Sequence, residues 1–202
     1  MNRLYRILAV LVALVAGGAL GDEGRPLARA TFAGGCFWCM EPPFDKVEGV
    51  VSTTSGYTGG QKENPTYEEV SSGGTGHIEA VEVVYDPAKV GYERLLDLFW
   101  HNVDPLTADG QFCDRGSQYR SAIFVHDETQ RRLAEDSKRQ LEASGRFSQP
   151  IVTEVLPAQA FYPAEAYHQD YYLEHPLKYR FYRSSCGRDA RLREVWGEEA
   201  GK

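Results

Sequence analysis

Two cysteines three residues apart, Cys36 and Cys39, form the part of the sequence best suited to chemistry. They follow Gly34 and Gly35, which permit a tight turn and a close approach of a ligand to the backbone. A predicted strand precedes this turn and a predicted helix follows it. Cys36 therefore stands at a helix N-terminus, where backbone N–H groups favour an anion. We predict a nucleophilic thiolate at Cys36.

Four cysteines in 202 residues are also compatible with three other arrangements. A four-cysteine zinc site would need a second close pair, but Cys113 and Cys186 are isolated in the sequence. Cys36 and Cys39 have the spacing of a thioredoxin-like redox pair, although the sequence around them is not typical of that fold. All four cysteines could instead form structural disulfides in a secreted, non-enzymatic binding module. Cysteine spacing alone leaves these alternatives open.

Strands and helices alternate along the chain around this motif. The predicted strands lie at residues 29–32, 47–54, 77–85, 118–126 and 151–156, and the predicted helices at 36–46, 64–70, 91–102 and 127–144. This alternation predicts an α/β (α+β) two-layer sandwich, in which a mixed, ferredoxin-like sheet is flanked by helices. We predict a long irregular C-terminal tail from about residue 173 to residue 202, within which residues 191–197 are more typical of a packed helix.

Residues 1–21 have the composition of a secretory signal peptide. Arg3 and Arg6 precede a 14-residue apolar run, which is shorter than the roughly 20 residues that cross a bilayer. Removal of this segment would leave residues 22–202 as a single domain exported to the periplasm or the exterior. The alternative is that the segment stays uncleaved and anchors the protein to a membrane.

The composition argues against nucleic-acid binding. The formal net charge is −7 at pH 7, which excludes a dominant basic surface. Hydrophobic residues make up 42% and charged residues 25% of the chain, as in globular proteins. We expect a monomer that has no nucleic-acid partner, since no heptad pattern indicates a coiled coil.

The motif around Cys36 resembles the active-site motif of the peptide methionine sulfoxide reductase A family, and further blocks of that family follow in the same order. The blocks are residues 35–41, 56–60, 64–70, 76–81, 85–87, 114–121 and 164–171. Several collinear blocks argue against a chance match. The resemblance implies a repair enzyme that reduces methionine S-sulfoxide, in proteins and as the free amino acid. It also implies that the electrons come from thiols, with no metal or other cofactor.

The resemblance assigns roles to residues around the reacting sulfur. Cys36 would attack the sulfoxide sulfur, leaving Cys36 as a sulfenic acid. Phe37 and Trp38 would cradle the methyl group, although ordinary core packing also accounts for them. The hydroxyls of Tyr67 and Tyr119 would reach the sulfoxide oxygen.

Two acidic residues complete the site that the resemblance implies. Glu79 shares one face of a predicted strand with Val81 and Val83. Burial on that face would raise its pKa and keep the carboxyl neutral, so that it can donate a proton to the departing oxygen. Asp114 corresponds to an acid of the family that lies near the thiol.

Recycling of the Cys36 sulfenic acid needs a second thiol. We predict Cys186, because the family places its resolving cysteine in a C-terminal tail, and Cys113 is the alternative. Cys39 is one helical turn away, but a rigid helix start disfavours the disulfide geometry. The resulting intramolecular disulfide would be reduced by thioredoxin or by an exported thioredoxin-like protein.

Overall fold

The computed structural model describes residues 26–202, so the predicted signal peptide at residues 1–21 lies outside the described part. The strands are β1 (Ala28–Gly34), β2 (Val50–Thr58), β3 (Ile78–Tyr85), β4 (Gly110–Gln111), β5 (Asp114–Arg115), β6 (Ser121–Val125), β7 (Glu154–Pro157) and β8 (Tyr162–Pro163). The helices are α1 (Phe37–Asp45), α2 (Tyr67–Ser71), α3 (Tyr92–Trp100), α4 (Glu128–Ala143), α5 (Tyr171–Glu174), α6 (Pro176–Ser185) and α7 (Arg188–Trp196). Within residues 26–202, none of the helices has the length and apolar character that a bilayer crossing requires.

The main sheet contains six strands in the order β7-β6-β1-β3-β2-β8. Strand β1 pairs antiparallel with both β3 and β6, and β2 pairs antiparallel with β3. Only β6 and β7 are parallel, with α4 as the connection between them. The order β1-α1-β2-β3-α3-β6 along the chain is that of a ferredoxin-like unit. The predicted mixed, ferredoxin-like sheet with flanking helices is therefore confirmed.

Helices α1, α3 and α4 form the second layer, and the larger core lies between them and the sheet. The face predicted for α3 is buried in this core and consists of Tyr92, Leu95, Leu96 and Phe99. Phe32 of β1 stacks on Phe44 of α1 and Phe99 of α3, with ring centroids 5.0 Å and 5.3 Å apart. Each such fully buried side chain contributes about 1.5–3 kcal/mol to stability. This packing fixes α1, and with it Cys36, against the centre of the sheet.

The C-terminal segment, predicted to be an irregular tail over about residues 173–202, is helical instead. Pro176 begins α6, where its missing N–H costs nothing, and Gly187 with φ +69° separates α6 from α7. In α7, Leu192 and Trp196 lie one turn apart and are both 1% exposed. The indole N–H of Trp196 donates a 2.8 Å hydrogen bond to the carbonyl of Val103. Helix α7 covers most of residues 191–197, the stretch whose sequence indicated a packed helix, whereas α6 was not predicted because its stability depends on tertiary packing.

Candidate active site

The turn between β1 and α1 admits only glycine at two positions. Gly35 has φ +82°, and a Cβ there would lie 2.6 Å from the Cβ of Gln111. A Cβ on Gly34 would lie 2.6 Å from the sulfur of Met40. The chain can therefore turn sharply and place Cys36 as the N-cap residue of α1, with 6% of its surface exposed.

A cavity of about 70 Å³ opens at Cys36. Its other lining residues are Phe37, Trp38, Tyr67, Glu79, Asp114, Tyr119 and Tyr182. Seven of these eight residues are those that the sequence placed around the reacting sulfur, and the elements that carry them are distant in the chain. The remaining two predicted residues, Cys113 and Cys186, do not line the cavity.

Glu79 is 2% exposed and projects from β3 on the same face as the core residues Val81 and Val83, as strand alternation predicts. Its Oε2 accepts a 3.1 Å hydrogen bond from the backbone N–H of Phe37. Burial raises the pKa of Glu79 to about 8, and the Phe37 N–H opposes this rise. The carboxyl is therefore largely protonated at neutral pH and can donate a proton into the cavity.

The environment of the Cys36 thiol differs from the sequence prediction of a thiolate stabilised by the helix start. Burial is the largest effect and raises the pKa of Cys36, and contact with the Cys39 thiol and with Glu79 raises it further. The first free N–H of α1, that of Phe37, is occupied by Glu79. The raised pKa of Cys36 therefore contradicts the predicted stabilisation of a thiolate and favours the protonated thiol.

The two aromatic residues after Cys36 are held in different ways. Trp38 stacks on Tyr171 with centroids 3.8 Å apart, and its indole N–H donates a 3.0 Å hydrogen bond to Nδ1 of His168. Phe37 is 1% exposed and packs against Tyr57 and His168. Phe37 thus belongs both to the core and to the cavity wall, while the half-buried Trp38 forms the outer wall.

Tyr67 and Tyr119 reach the cavity from α2 and from the turn before β6. The backbone N–H of Tyr67 donates a 2.9 Å hydrogen bond to Glu165, which anchors the start of α2. Burial raises the pKa of Tyr67 to about 12, and it also raises that of Tyr119. Both phenols therefore stay neutral and present O–H donors toward the cavity.

Tyr182 of α6 is the cavity residue that sequence reasoning missed. Its hydroxyl donates a 2.6 Å hydrogen bond to Oδ2 of Asp114, and it also lies within hydrogen-bonding contact of the Cys36 thiol. Burial raises the pKa of Asp114, and the hydrogen bond from Tyr182 opposes this. The sequence does hold one signal, because Tyr182 precedes Cys186 by four residues and shares its helix face.

Cys113 and Cys186, each predicted as a partner of Cys36, form a disulfide with one another. Their Cα atoms are 4.9 Å apart, whereas Cys36 and Cys39 are both free thiols. Asp114 lies beside the disulfide, with carboxylate oxygens 3.8 Å from the sulfur of Cys113 and 3.9 Å from that of Cys186. The disulfide is thus separated from Cys36 by the Asp114–Tyr182 pair.

The arrangement brings together a buried thiol, a protonated carboxyl, two neutral phenols and an apolar wall. Such a set of groups suits a neutral polar substrate whose oxygen must be protonated while its neighbouring atom is attacked. In the part of the chain that the structure describes, one group offers three possible metal ligands, namely Cys113, Asp114 and Cys186. Its two sulfurs are already joined in the disulfide.

Comparison with known proteins gives a consistent result. The family profile described as peptide methionine sulfoxide reductase matches residues 28–200. The chain is 55% identical over 177 residues to the peptide methionine sulfoxide reductase MsrA of Bacillus licheniformis, covering 88% of this chain and 97% of that protein. Reduced Mxr1 from Saccharomyces cerevisiae superposes with a TM-score of 0.71 at 30% identity, covering 77% of this chain and 90% of that one. Methionine sulfoxide reductase A of Corynebacterium diphtheriae gives a TM-score of 0.67 at 37% identity, covering 78% of each chain.

Proposed function

Since the chain belongs to the peptide methionine sulfoxide reductase A family, we propose that its reduction of methionine S-sulfoxide uses Cys36 as the nucleophile and Glu79 as the proton donor. The enzyme converts methionine S-sulfoxide, in proteins and as the free amino acid, to methionine by thiol chemistry. One observation carries the assignment of residues. The hydrogen bond from the Phe37 N–H holds the buried Glu79 carboxyl at the wall of the cavity that contains Cys36.

The first step transfers oxygen from the substrate to Cys36. Glu79 protonates the sulfoxide oxygen, and the Cys36 sulfur attacks the substrate sulfur as its own proton is released. The S–O bond of the substrate and the bond between the two sulfurs then break as the oxygen bonds to the Cys36 sulfur, so that methionine leaves and Cys36 becomes a sulfenic acid. The substrate gains the two electrons that Cys36 loses, and the proton released from Cys36 replaces the one that Glu79 donated.

The remaining cavity residues orient the substrate in this proposal. The neutral hydroxyls of Tyr67 and Tyr119 hydrogen-bond to the sulfoxide oxygen, which gains negative charge as the S–O bond weakens. Phe37 and Trp38 hold the methyl group against an apolar wall. Asp114 accepts the hydrogen bond of Tyr182, which lines the cavity beside Cys36, and we assign its effect on Cys36 to this contact. Asp114 is thus a positioning residue.

A thioredoxin-type protein dithiol is the proposed reductant. Cys36 is 6% exposed and lies in a small cavity, whereas Cys113 is exposed at the surface. A protein dithiol can therefore reach the Cys113–Cys186 disulfide more easily than it can reach Cys36. Reduction of that disulfide consumes two electrons for each sulfoxide repaired.

Export and a monomeric state complete the proposal. The apolar run after Arg3 and Arg6 supports cleavage after residue 21 and export to the periplasm or exterior, where the reductant would be an exported thioredoxin-like protein. N-terminal sequencing of the protein recovered from each cell fraction tests this. A protein that begins before residue 22 and stays in the membrane fraction would favour the uncleaved anchor.

The proposed monomeric state is tested separately, by measuring the molar mass of the purified protein with light scattering.

Stereospecific turnover tests the catalytic proposal. The protein is incubated with dithiothreitol and either epimer of N-acetyl-methionine sulfoxide, and methionine formation is followed by mass spectrometry. We expect the S epimer to be consumed and the R epimer to remain, whereas a thiol–disulfide oxidoreductase would leave both intact. Cys36→Ser should be inactive with an unchanged circular dichroism spectrum. An active Cys36→Ser variant would remove Cys36 from the nucleophilic role.

A further inference from the structure

We propose that His168 is a positioning residue for substrate binding: its Nδ1 atom holds the Trp38 indole in place as the wall of the methyl site, and protonation of the imidazole in acid releases that wall. The inference rests on the proposed role of Trp38 in holding the substrate methyl group. It gives a function to a buried residue of the block at residues 164–171 that the catalytic proposal leaves unused.

His168 packs against the back of the cavity wall. Its ring contacts three residues that line the cavity, although His168 does not line the cavity itself. The distances between ring centroids are 5.0 Å to Phe37, 5.6 Å to Trp38 and 4.5 Å to Tyr67. Because the side chain is only 1% exposed, a substrate is affected by His168 through these rings and not by direct contact.

The hydrogen bond from Trp38 determines the protonation state of His168. An indole N–H can only donate, so Nδ1 of His168 accepts this 3.0 Å bond and the imidazole proton lies on Nε2. Nε2 is buried, and within residues 26–202 it has no hydrogen-bond partner. A second proton on Nδ1 would face the indole N–H, donor against donor, and neither ring nitrogen would then have an acceptor. The site therefore accommodates the neutral ring and not the cation.

The carboxylates near His168 do not reverse this preference. Burial lowers the pKa of His168, and the charges of Glu165 and Glu68 oppose the shift only in part. Glu165 already accepts 2.9 Å hydrogen bonds from the hydroxyl of Tyr57 and from the backbone N–H of Tyr67. Its oxygens are thus engaged elsewhere and do not hold a proton on the imidazole.

The other side chains that face the His168 ring keep their charge below neutral pH. Tyr67 of α2 and Tyr167 of the same turn lie with ring centroids 4.5 Å and 4.2 Å away, and burial raises the pKa of both phenols. From α1 the ring is faced by Phe37 and Trp38, which do not titrate. A change of charge among these five rings in acid is therefore that of His168.

The turn that carries His168 is fixed to the sheet, whereas Trp38 is held more loosely. The side chain of Gln169 bonds both the N–H and the carbonyl of Ser55 in β2, each at 2.9 Å. Trp38 is half-buried, and its stack on Tyr171 fixes the plane of the indole but leaves the ring free to rotate within that plane. The bond to Nδ1 of His168 supplies the missing constraint, so its loss lets the indole turn away from the cavity.

Loss of this bond should weaken substrate binding and leave the chemical step nearly unchanged. Glu79 is held by the N–H of Phe37, independently of His168. The neutral imidazole that holds Trp38 is present above the pKa of His168 and is lost as the pH falls through it. The expected signature is a rise in the half-saturating sulfoxide concentration in acid, without a matching fall in the maximal single-turnover rate.

Two substitutions at His168 test the role of Nδ1. Asparagine keeps an acceptor near the position of Nδ1 and does not titrate, whereas leucine removes the acceptor. Single turnovers are followed over a range of N-acetyl-methionine S-sulfoxide concentrations. His168→Leu should raise the half-saturating concentration about three- to tenfold and keep the maximal rate within about twofold, and His168→Asn should restore most of the loss.

The matched control is His77→Leu. His77 is 2% exposed, and its ring is bonded to the N–H of Gly60 and the carbonyl of Lys62, outside the cavity. This variant should keep the half-saturating concentration of the unmodified enzyme. An equal rise in His77→Leu and His168→Leu, or a His168→Asn enzyme as impaired as His168→Leu, would overturn the inference.

The pH profile separates the inference from the proposed function. In the unmodified enzyme the half-saturating concentration should rise below neutral pH, whereas it should be independent of pH in His168→Asn and high at every pH in Trp38→Phe, which lacks the indole N–H. The same rise with acid in all three enzymes would place the titrating group elsewhere and overturn the inference. An unchanged half-saturating concentration in Trp38→Phe would contradict the methyl-binding role of Trp38, and the inference with it.

Nitrogen NMR of the ¹⁵N-labelled enzyme tests the geometry without turnover and without a variant. We expect His168 to be the Nε2–H tautomer, and the indole N–H signal of Trp38 to shift as His168 titrates. An Nδ1–H tautomer, or a Trp38 signal that does not respond to this titration, would overturn the inference while leaving Cys36 and Glu79 in their proposed roles.

Discussion

The backbone N–H of Phe37 donates a 3.1 Å hydrogen bond to Oε2 of Glu79, across 42 residues of sequence. This bond aligns the proposed acid with the residue that follows the proposed nucleophile. It also uses the helix-start N–H that would otherwise stabilise a Cys36 thiolate. The site is therefore organised, before substrate arrives, around a protonated thiol and a carboxyl held for proton donation.

Glu79→Gln should lower the rate of methionine formation in a single turnover by about 10²–10⁴, the usual contribution of a general acid. Glutamine keeps the shape and a hydrogen-bond donor but cannot deliver the proton. The matched control is Glu82→Gln, which changes a residue of the same strand that pairs with the exposed Arg29. The control should keep nearly full activity, and a Glu79→Gln enzyme of near-native rate would exclude the acid role.

The contribution of Glu79 should be lost as the pH rises through about 8. Burial raises the pKa of Glu79 to about 8, so the proton-donating form is present below that pH and disappears above it. The ratio of single-turnover rates of the unmodified enzyme and Glu79→Gln should therefore fall with rising pH. Because Glu79 also raises the pKa of Cys36, the titration of Cys36 is measured in each enzyme from its alkylation rate and corrected for in the ratio. A ratio that is constant between pH 6 and pH 10, roughly two units either side of the Glu79 pKa, would contradict the assignment.

Tyr182→Phe should slow the chemical step by roughly 10–100-fold. It removes a hydroxyl that bonds Asp114 at 2.6 Å and contacts the Cys36 thiol, and hydrogen bonds to charged groups contribute about 1.5–3 kcal/mol. Tyr172→Phe is the control, because Tyr172 donates a comparable 3.0 Å hydrogen bond to Asp45 outside the cavity. The single-turnover rate and the substrate KM are to be measured for both variants, and only the rate of Tyr182→Phe should fall. Equal losses in the two variants would indicate a general stability effect.

Cys186→Ser should release one equivalent of methionine and then stall when thioredoxin is the reductant. The Cys113–Cys186 disulfide cannot form in this variant, and Cys36 and Cys39 are only 6% and 1% exposed, which keeps a protein dithiol away from them. Small thiols that enter the cavity should sustain slow turnover. The measurement is the burst of methionine followed by the steady-state rate with each reductant. Steady turnover with thioredoxin at the native rate would show that the Cys113–Cys186 pair is not required.

Local sequence predicted the order of the elements and the environments of Cys36 and Glu79, whereas their proposed roles as nucleophile and acid also rest on the resemblance to the reductase family. Gly34 and Gly35 encode the turn that places Cys36 at a helix start, and alternation along β3 places Glu79 on the core face with Val81. These patterns act over a few residues, so they can be read without the fold. The ferredoxin-like sheet followed from the alternation of elements for the same reason.

The tertiary structure decided which groups surround the thiol. Arg188 donates a hydrogen bond to the carbonyl of Gly34, 154 residues away in the sequence, and Cys186 forms a disulfide with Cys113, 73 residues away. No local sequence pattern extends over such separations. Tyr182 reaches the cavity because α6 packs against it, and the sequence predicted an irregular tail where α6 lies. The protonation of Cys36 reversed the sequence prediction because burial outweighs the helix-start field, and burial is a property of the packed fold.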